Sequence, residues 1–410
     1  MREMKDSGVE WIGEIPKDWK LSKTKYFYDC YDGKRVPIDA AQRKSGVYPY
    51  WGAGSITDYV DDYLFDEELV LVGEDGAPFF DYTRPVSFLI NEKVWVNNHI
   101  HVLKVHNDTD SAFMVYFFNT VDYGSYINGS ILNKLTQGNM NNIAFVVPPY
   151  EEQVRIVNYL DSKCAKIDSI IEKQQAIIEK LKEYKLSVIN EAVTHGINSE
   201  VEMKDSGYKW IGDIPKHWNM VYAKQLFTQR KDRAYEEDEQ LTSSQKYGII
   251  FQKEFMEIEG RQVMQVLKGE EILKHVEKGD FVISMRSFQG GLEYSEVSGK
   301  ISSAYVMLIP NKAKVYDRYY KWLFKSKRYI SALQGTSNLI RDGQALRFSN
   351  FIQVYLPNFN MDEQKQIADY LDKICPKLDA EVEKREKLLE KMNEYKKALI
   401  YEVVTGKKEV

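Results

Sequence analysis

Cysteine is scarce in this chain, and long apolar runs are missing. Its three cysteines, Cys30, Cys164 and Cys375, stand far apart among 410 residues, and none belongs to a CxxC pair. This spacing excludes a disulfide framework and a cysteine zinc site. No stretch reaches the roughly 18 consecutive apolar residues of a membrane span, and residues 1–6 carry no apolar signal-peptide core. The sequence therefore predicts a soluble protein of the reducing cytoplasm, with no membrane partner.

An excess of positive charge is also missing. The chain has 56 Lys and Arg against 61 Asp and Glu, which gives a formal net charge of −5. This balance excludes a uniformly basic coat for nucleic acid. Any DNA-binding surface must therefore be a local basic patch on an acidic background.

Sequence motifs of catalysis are absent or incomplete. No Walker A sequence occurs, and Gly52-Ala53-Gly54 is a lone GxG without the context of a dinucleotide site. Val147-Pro148-Pro149-Tyr150 resembles the Pro-Pro-aromatic motif of adenine methyltransferases, but valine cannot hold the amino group of a flipped base. We expect these prolines to mark a stop between a strand and a helix. His99 and His101 lack metal partners at a recognisable spacing and are predicted to be core or groove residues. No catalytic, cofactor-binding or metal residue is therefore predicted.

The chain contains an internal duplication. Residues 4–19 and 203–218 are identical at twelve of sixteen positions, at an offset of 199. Residues 152–196 and 363–406 match at an offset of 211, and both end in a Val-Thr pair close to a glycine. A period near 200 residues is too long for a solenoid and predicts a duplicated domain pair. Such a chain can fold with pseudo-two-fold symmetry, which suits a duplex with two half-sites.

The second pair of matched blocks carries a heptad pattern of apolar residues. The apolar seam includes Leu160, Ile167, Ile171, Ile178 and Leu181 in the first block and Leu371, Leu378, Val382, Leu389 and Met392 in the second. Polar residues interrupt both seams at the same places, Gln174 with Arg385 and Lys185 with Lys396, which is a way of fixing register. The pattern predicts two long helices that pair antiparallel as a spacer. The alternative is that each helix is a lid packed on its own domain.

Glycine and proline predict where these helices begin and end. Gly196 and Gly406 are expected to close the two helices. Pro376 is expected either to start the main second helix, over about 376–403, or to kink a continuous one.

The regions between the matched blocks, 20–147 and 219–356, have a mixed α/β pattern. Short strands are predicted at 68–72, 101–105, 280–284 and 305–309, and helices at 110–122 and 316–332. The two regions are expected to share a fold and to differ in the side chains of their loops. The predicted organisation is a first recognition domain at 1–149, a spacer helix at 150–196, a linker and second domain at 197–357, and a second spacer helix at 358–410. The fold class is α+β with mixed α/β domains.

Glycine-rich polar loops and scattered cations are the candidates for DNA contact. Arg286 could read guanine and Gln289 adenine, each by a bidentate pair of hydrogen bonds. The full set of candidate base readers is Tyr50, Trp51, Ser55, Glu74, Asp75, Asn98, Arg286, Ser287, Gln289 and Ser303. Phosphate contacts, which position the duplex without specifying its sequence, are predicted for Lys34, Arg35, Arg43, Lys44, Arg230, Lys231, Arg233, Lys325, Lys327, Arg341 and Arg347.

Four features of the chain resemble the specificity subunit of Type I restriction–modification enzymes. They are Trp-Ile-Gly-x-Ile-Pro-x-x-Trp at the start of each half, Pro-Pro-x-x-Glu-Gln-x-x-Ile at 148–156, Leu-Asp followed by Ile-Asp or Leu-Asp at 160–168 and 371–379, and a helix that ends in Val-Thr-Gly. Together they span the whole chain, although the second junction, at 358–362, lacks the second proline. We expect the tryptophans to pin the entry of the chain onto each core.

The resemblance implies two target-recognition domains, each reading one half of a split site in double-stranded DNA. The helices would fix the gap and dock two modification subunits. No cofactor is expected on this chain. Modification subunits would bind S-adenosylmethionine and methylate adenine, and restriction subunits would use ATP and Mg²⁺ to translocate and cleave DNA.

Two other functions remain compatible with the sequence. One is a self-contained DNA methyltransferase or nuclease fused to recognition domains, which predicts cofactor binding by the isolated chain. The other is a coiled-coil scaffold that does not bind DNA, which predicts no specific footprint in the presence of a modification subunit.

Overall fold

The fold is known from a computed structural model, which describes residues 2–81, 83–127, 133–260, 272–336 and 346–410. Arg341, one of the predicted phosphate contacts, lies outside these ranges. The chain forms two compact units. The first unit joins Met1–Ala176 to Arg385–Val410, and the second is Ile177–Lys384. Each unit therefore combines parts of the segments predicted from the sequence, and the predicted domain boundaries stay predictions.

The first unit is mostly β-structure followed by a long helix. Its strands are β1 (Met4–Asp6), β2 (Glu14–Pro16), β3 (Lys20–Lys23), β4 (Tyr28–Cys30), β5 (Ser45–Trp51), β6 (Ile56–Val60), β7 (Phe65–Asp66), β8 (Leu69–Gly73), β9 (Ser87–Ile90), β10 (Lys93–Val96), β11 (Ile100–Val105) and β12 (Ala144–Val147). Its helices are α1 (Ser111–Phe118), α2 (Gln137–Asn141) and the first part of α3 (Tyr150–His195).

Two four-stranded sheets organise the first domain. One has the order β6-β5-β10-β7 and includes a parallel pair, β5 with β10, whereas the other, β4-β11-β8-β9, is antiparallel throughout. Strand β8 is buried along its whole length, and α1 packs against β8 and β9. An aromatic group of Phe113, Phe117 and Phe145 is fully buried between α1 and β12. Burial of such rings is the main source of stability for this core.

The second unit repeats this arrangement with different details. Its strands are β13 (Met203–Asp205), β14 (Asp213–Pro215), β15 (Asn219–Tyr222), β16 (Phe227–Arg230), β17 (Leu241–Ser244), β18 (Gly248–Phe251), β19 (Lys274–Val276), β20 (Phe281–Ile283), β21 (Glu293–Tyr294), β22 (Gly299–Ile301), β23 (Val306–Pro310) and β24 (Tyr355–Asn358). Its helices are α4 (Gln252–Glu259), α5 (Ser287–Gly290), α6 (Asp317–Lys325), α7 (Lys327–Gly335), α8 (Phe348–Phe351) and part of α9 (Met361–Val404).

The central sheets of the two units have equivalent strand orders. The order β4-β11-β8-β9 in the first unit corresponds to β16-β23-β20-β21 in the second. Val105 pairs with Tyr28 in the first sheet as Pro310 pairs with Phe227 in the second. The prediction that the two variable regions share a mixed α/β scaffold is therefore confirmed. The predicted strands are each present within a residue or two, while the helix predicted at 316–332 is two helices, α6 and α7, divided at Ser326.

The two long helices pair antiparallel in each unit. In the first unit, the Lys396 ammonium lies 2.6 Å from Asp168, and Arg385 donates to the Gln174 side chain at 2.6 Å. As residue numbers rise along α3, the numbers of their partners in α9 fall, which defines antiparallel packing. In the second unit, the Lys185 ammonium lies 2.6 Å from Asp379. The polar interruptions of both seams are thus matched to specific partners, and antiparallel pairing is confirmed.

Both long helices also pack on globular domains. In the first unit, Leu160 and Ile167 of α3 share a buried cluster with Leu399 and Val403 of α9 and with the domain core. In the second unit, Leu371 of α9 is buried in the same way. Each long helix therefore packs on a globular domain with one face, as the lid alternative predicts, and on the partner helix with another face. The seam residues Leu160, Ile167, Ile178 and Leu371 are buried, and Ile171, Leu181, Leu378, Val382, Leu389 and Met392 are half-buried.

The prediction that the main second helix begins at Pro376 was wrong. Helix α9 starts at Met361 and continues through Pro376, so the alternative of one continuous helix is the correct one. Proline within a helix removes one backbone donor and crowds the carbonyl four residues earlier, and the burial of Leu371 and Cys375 holds the preceding turn against the core despite this cost. At about 1.5 Å per residue, α3 and α9 are each roughly 65–70 Å long. Gly196 and Gly406 follow the helices with positive φ values of 79° and 74°, as predicted.

Among the described helices, none is both long and apolar enough to cross a membrane. The three cysteines are free thiols, and burial raises the pKa of the Cys164 and Cys375 thiols.

Candidate nucleic-acid interface

The residues shared by the two halves anchor each domain to a long helix. Trp19 is buried and its Nε1 donates to Glu152 at 3.0 Å, and in the second unit Trp218 Nε1 donates to Glu363 at 3.0 Å. The predicted structural role of the repeated tryptophans is therefore confirmed. An indole N–H removed from water needs such an acceptor.

The Glu-Gln and Leu-Asp motifs add two further anchors. Gln153 accepts from the Asp110 backbone N–H at 2.9 Å, and Gln364 accepts from the Tyr316 N–H at the same distance. Asp161 accepts from the Tyr116 hydroxyl at 2.7 Å. Its counterpart Asp372 accepts from Trp322 Nε1, also at 2.7 Å. The motifs thus fix each domain to a long helix by equivalent hydrogen bonds. The two halves differ in other residues.

Several polar segments of the first domain converge at one end of its sheets. We call this the first loop cluster, and it comprises residues 51–55, 73–76, 97–99 and 133–135. The Asn97 N–H donates to the Trp51 carbonyl at 3.1 Å, and the Glu74 N–H donates to the His99 carbonyl at 3.0 Å. Leu135 N–H donates to the Glu74 carbonyl at 2.7 Å. These backbone bonds fix the loops to one another, which limits the cost of ordering them on a ligand.

Glu74 lies at the centre of the charges beneath the first loop cluster. Arg35 Nη1 donates to Glu74 at 2.6 Å and to the Ile100 carbonyl at 2.8 Å, and the Lys134 ammonium lies 3.0 Å from Glu74. Burial raises the pKa of Glu74, but the hydrogen bonds from Arg35 and Lys134 outweigh it and the pKa lies below its usual range. Glu74 is therefore a carboxylate held by two cations.

His101 completes the buried part of this network. Its Nδ1 lies 2.6 Å from Asp32 Oδ2 and its Nε2 lies 2.9 Å from the Leu135 carbonyl oxygen. Both neighbours, a carboxylate and a backbone carbonyl, are hydrogen-bond acceptors. Burial raises the pKa of Asp32, but the hydrogen bond from His101 outweighs it and the pKa is lowered.

The same residues are spaced as metal ligands could be. One ligand atom each from Asp32, Glu74 and His101 lies within 4.8 Å of the others. Arg35 and Lys134 already pair with these carboxylates, and His101 is hydrogen-bonded to Asp32, so the cluster is satisfied as a network of ion pairs and hydrogen bonds. His101 lies in the core, one of the two environments predicted for it. Sequence reasoning missed its partners because Asp32 and Glu74 come from distant segments.

The predicted base readers of the first domain occupy different environments. Tyr50 is buried, with its hydroxyl accepting from the Ile38 N–H at 3.1 Å, and Trp51 is also largely buried. Ser55 and Asn98 are exposed on the first loop cluster. Glu74 and Asp75 are half-buried and ion-paired, Glu74 with Arg35 and Asp75 with Lys134. Base reading by these residues stays a prediction.

A second loop cluster lies at the equivalent end of the second sheet. It comprises residues 284–291 and 302–305, which flank the paired ends of β20 and β23. Arg286 and Gln289 are exposed, and Ser303 is half-buried. Ser287 is fully buried, and its hydroxyl accepts from the Ser284 N–H at 2.8 Å. This placement favours a turn-forming role for Ser287 and leaves Arg286 and Gln289 as the accessible candidates.

The predicted phosphate contacts of the first domain divide into exposed cations and cations held by neighbouring acceptors. Lys34 and Lys44 are exposed, and the Lys34 ammonium lies 3.3 Å from the centre of the Tyr31 ring. Arg35 belongs to the buried network described above. Arg43 donates to the Ile38 carbonyl at 3.1 Å.

The second domain shows the same division. Lys231, Arg233, Lys327 and Arg347 are exposed. Arg230 lies 2.6 Å from Asp280 and 2.9 Å from Asp232. Lys325 pairs with Glu293. Phosphate binding by the engaged cations requires them to exchange a carboxylate for a phosphate, and phosphate contact stays a prediction for the whole set.

Comparison with known proteins assigns the family. The Type I restriction modification DNA specificity domain matches this chain twice, over residues 16–196 and 215–390. The chain therefore belongs to the family of Type I restriction–modification DNA specificity subunits. The two matches correspond to its two duplicated halves.

Individual relatives agree with this assignment. The Type I restriction enzyme MjaVIII specificity subunit of Methanocaldococcus jannaschii is 22% identical over 420 residues, covering 96% of this chain and 93% of the relative. A putative Type I specificity subunit of Haemophilus influenzae, S.HindORF215P, is 31% identical over 131 residues, which is 32% of this chain and 34% of the relative. This chain thus spans about a third of the Haemophilus protein in that match and nearly all of the Methanocaldococcus protein.

Solved structures share the fold. A chain from a study of complex assembly and conformational transition of the Type I restriction–modification system matches with a TM-score of 0.66 at 13% identity, over 95% of this chain and 98% of that one. The HsdS subunit of Thermoanaerobacter tengcongensis matches with a TM-score of 0.50 at 12% identity, over 98% and 100% of the two chains.

Proposed function

We propose that each half of this chain reads one half of a split sequence in double-stranded DNA. The observation that carries the proposal is the contrast between the two loop clusters. Equivalent strands support a cluster with His99, Asn98 and Lys134 in one half, and a cluster with Arg286 and Gln289 in the other. One scaffold with two sets of hydrogen-bonding groups fits two different half-sites.

The charge distribution supports a duplex as the ligand. The chain is acidic overall, yet exposed cations occur in both domains, Lys34 and Lys44 in the first and Lys231, Lys327 and Arg347 in the second. Such cations would position the phosphate backbone, while the loop clusters specify sequence.

The long helices are proposed to set the gap between the half-sites. Their register is fixed by matched polar pairs within each unit, and each is anchored to a domain by the shared motifs. A rigid connection of this kind gives a defined spacing rather than a range of spacings. The exposed faces of the same helices are proposed to dock two modification subunits, one for each duplicated half.

The reaction itself is proposed to belong to other subunits. The Pro-Pro segment lies between the end of β12 and the start of α3, and the Pro148 carbonyl accepts from Gln153 at 3.0 Å, as expected for a strand-to-helix stop. S-adenosylmethionine would be bound by the modification subunits, and ATP and Mg²⁺ by the restriction subunits. Calorimetry of the isolated chain with S-adenosylmethionine should show no binding; stoichiometric binding would revive the fused-methyltransferase alternative.

A domain exchange tests the proposal directly. Residues 219–356 would be replaced by the corresponding region of another family member, and the methylated motif would be sequenced in cells that also express a modification subunit. We expect one half-site to change while the other half-site and the gap stay the same. The reciprocal exchange of residues 20–147 is the matched control and should change the opposite half-site. A change in both half-sites from a single exchange would contradict independent reading.

A further inference from the structure

A half-exposed histidine stands at the top of the first loop cluster. The His99 side chain is 50% exposed, and its Nδ1 lies 2.5 Å from Asp75 Oδ1. Its backbone is held on both sides, because its N–H donates to Asn97 Oδ1 at 2.6 Å and its carbonyl accepts from the Glu74 N–H at 3.0 Å. The ring therefore has a fixed position and a fixed orientation, which a base-reading group requires.

Asp75 determines which ring nitrogen is available outside. A carboxylate can only accept, so Nδ1 carries the proton that is donated to Asp75. In the neutral ring, the lone pair is then on Nε2. His99 thus offers an acceptor on the side away from Asp75.

The carboxylates beneath His99 have cationic partners of their own. Arg35 lies 2.6 Å from Glu74 and 3.4 Å from Asp32, and the Lys134 ammonium lies 3.0 Å from Glu74 and 3.7 Å from Asp75. The neutral ring of His99 is the form that can accept a hydrogen bond at its outward Nε2.

We propose that His99 is a specificity-determining residue that accepts a hydrogen bond at Nε2 from the exocyclic amino group of adenine or cytosine, with Asp75 as its positioning residue. This inference rests on the proposed function of the first domain as a DNA reader. Adenine and cytosine are the bases that present an amino donor in the major groove, whereas guanine and thymine present carbonyl acceptors there.

The second domain carries a hydrogen-bond donor at the register position next to that of His99. Leu103 pairs with Val70 in the first sheet as Leu308 pairs with Phe281 in the second. Counting outward from these pairs places Arg286 at the position of Asp75 and Ala304 at that of His99. Arg286 is exposed and can only donate, so the second half presents a donor at the position of Asp75, beside the place where His99 presents an acceptor in the first half.

The experiment sequences the methylated motif in cells that express the full chain with a modification subunit. His99→Phe keeps a ring of similar shape without nitrogen, and His99→Ala removes the ring. Both should lower discrimination by about fivefold at one adenine or cytosine of one half-site, as the loss of one hydrogen bond would. The identity of that base separates adenine from cytosine recognition.

Asp75→Asn makes a sharper prediction. The Lys134 ammonium lies 3.7 Å from Asp75 Oδ2, so the amide oxygen of asparagine should stay on the Lys134 side and its NH₂ should face His99. Nδ1 must then accept, and the ring proton moves to Nε2. The same base position should shift from preferring an amino-bearing base towards guanine or thymine.

His106→Ala is the matched control. His106 lies at the other end of β11, is 41% exposed, and has its Nε2 3.4 Å from Asp29, so it shares the local chemistry of His99 away from the loop cluster. Its removal should leave both half-sites unchanged. A bipartite motif that is identical in the wild-type chain and the His99→Phe variant would overturn the role of His99 alone. A wild-type chain that gives no bipartite motif would overturn the proposed function itself.

Discussion

At the scale of single residues, the duplication separates two kinds of polar side chain. Residues that recur in both halves, such as Glu152 with Glu363, hold buried N–H groups of the scaffold. Residues that differ at equivalent positions, such as Asp75 and Arg286, lie in the loop clusters. Residues that are identical in the two halves thus hold the scaffold together. Residues that differ at equivalent positions are the proposed base readers.

The buried His275 gives a prediction about pH. Its Nδ1 lies 2.8 Å from Asp238 and its Nε2 lies 3.1 Å from Glu277. Burial lowers the pKa of His275, but the hydrogen bonds with the two carboxylates outweigh it and the pKa is raised. Since a raised pKa means tighter proton binding in the folded state, this contribution to stability is full below about pH 6.5 and is lost as the pH rises through the folded-state value.

We therefore expect His275→Gln to destabilise the second unit by about 1–3 kcal/mol at pH 6, because the buried Asp238 side chain and the half-exposed Glu277 side chain lose their charged partner. The loss should be smaller at pH 9. Urea unfolding of the variant and the wild-type chain at both pH values measures the difference. An equal loss at the two pH values would show that the charge of His275 does not matter.

At the scale of elements, the ends of the two long helices differ in how tightly they are enclosed. Gly406 has a φ of +74°, and an added Cβ would lie 2.4 Å from Pro16 Cδ and 2.9 Å from Trp19. Gly196 has a φ of +79°, but its nearest neighbour would be 3.6 Å away, at Trp218 or Glu363. The two helix ends thus share their backbone conformation and differ in space.

Gly196→Ala should cost about 1–2 kcal/mol, the ordinary penalty of a left-handed residue. Gly406→Ala should cost about 1–3 kcal/mol more, because the first core must also move. Gly8→Ala, at a φ of +70° with no neighbour within 4 Å, isolates the backbone penalty. Urea unfolding of the three variants ranks them; equal losses at Gly196 and Gly406 would refute the difference in packing.

The helix pair is expected to depend on its charge pairs for register more than for stability. Lys396 with Asp168 and Lys185 with Asp379 are partly exposed pairs of equal length, one in each unit. Exposed pairs of this kind contribute about 0.2–1 kcal/mol. Their main effect is on register, because sliding one helix along the other would separate each lysine from its aspartate.

Asp168→Lys and Lys396→Asp should each destabilise the first unit by up to about 1 kcal/mol, and the double variant should recover most of the loss. The coupling should shrink in 1 M salt. A double-mutant cycle by urea unfolding measures it, and the pair Lys185 and Asp379 is the internal replicate. A double variant no more stable than the singles would argue against a direct pair.

At the scale of the whole molecule, the proposed function makes the long helices a spacer. Deleting one heptad from each helix removes about 10 Å of helix, which is about three base pairs of duplex. We expect the gap in the methylated motif to change, or assembly to be lost, with both half-sites unchanged. Motif sequencing of the deletion variant decides this, and altered bases in either half-site would contradict a spacer role.

The duplication, the helix seams and the anchoring motifs could all be predicted from the amino-acid sequence. These features are periodic or repeated, so the spacing of residues along the chain is enough to recognise them. The sequence also placed the glycine ends of both helices correctly. It was ambiguous about Pro376, since whether a helix continues through proline depends on how firmly the turns around it are packed.

Which polar residues contact one another depends on the three-dimensional fold. Asp32, Glu74, His101 and Lys134 form one network, although no spacing in the sequence connects them. The sequence predicts base reading by Tyr50 and Ser287, but the fold buries both residues. A hydrogen bond needs two groups within about 3 Å, and for residues far apart in the chain that distance is set by strand register and loop packing rather than by local sequence.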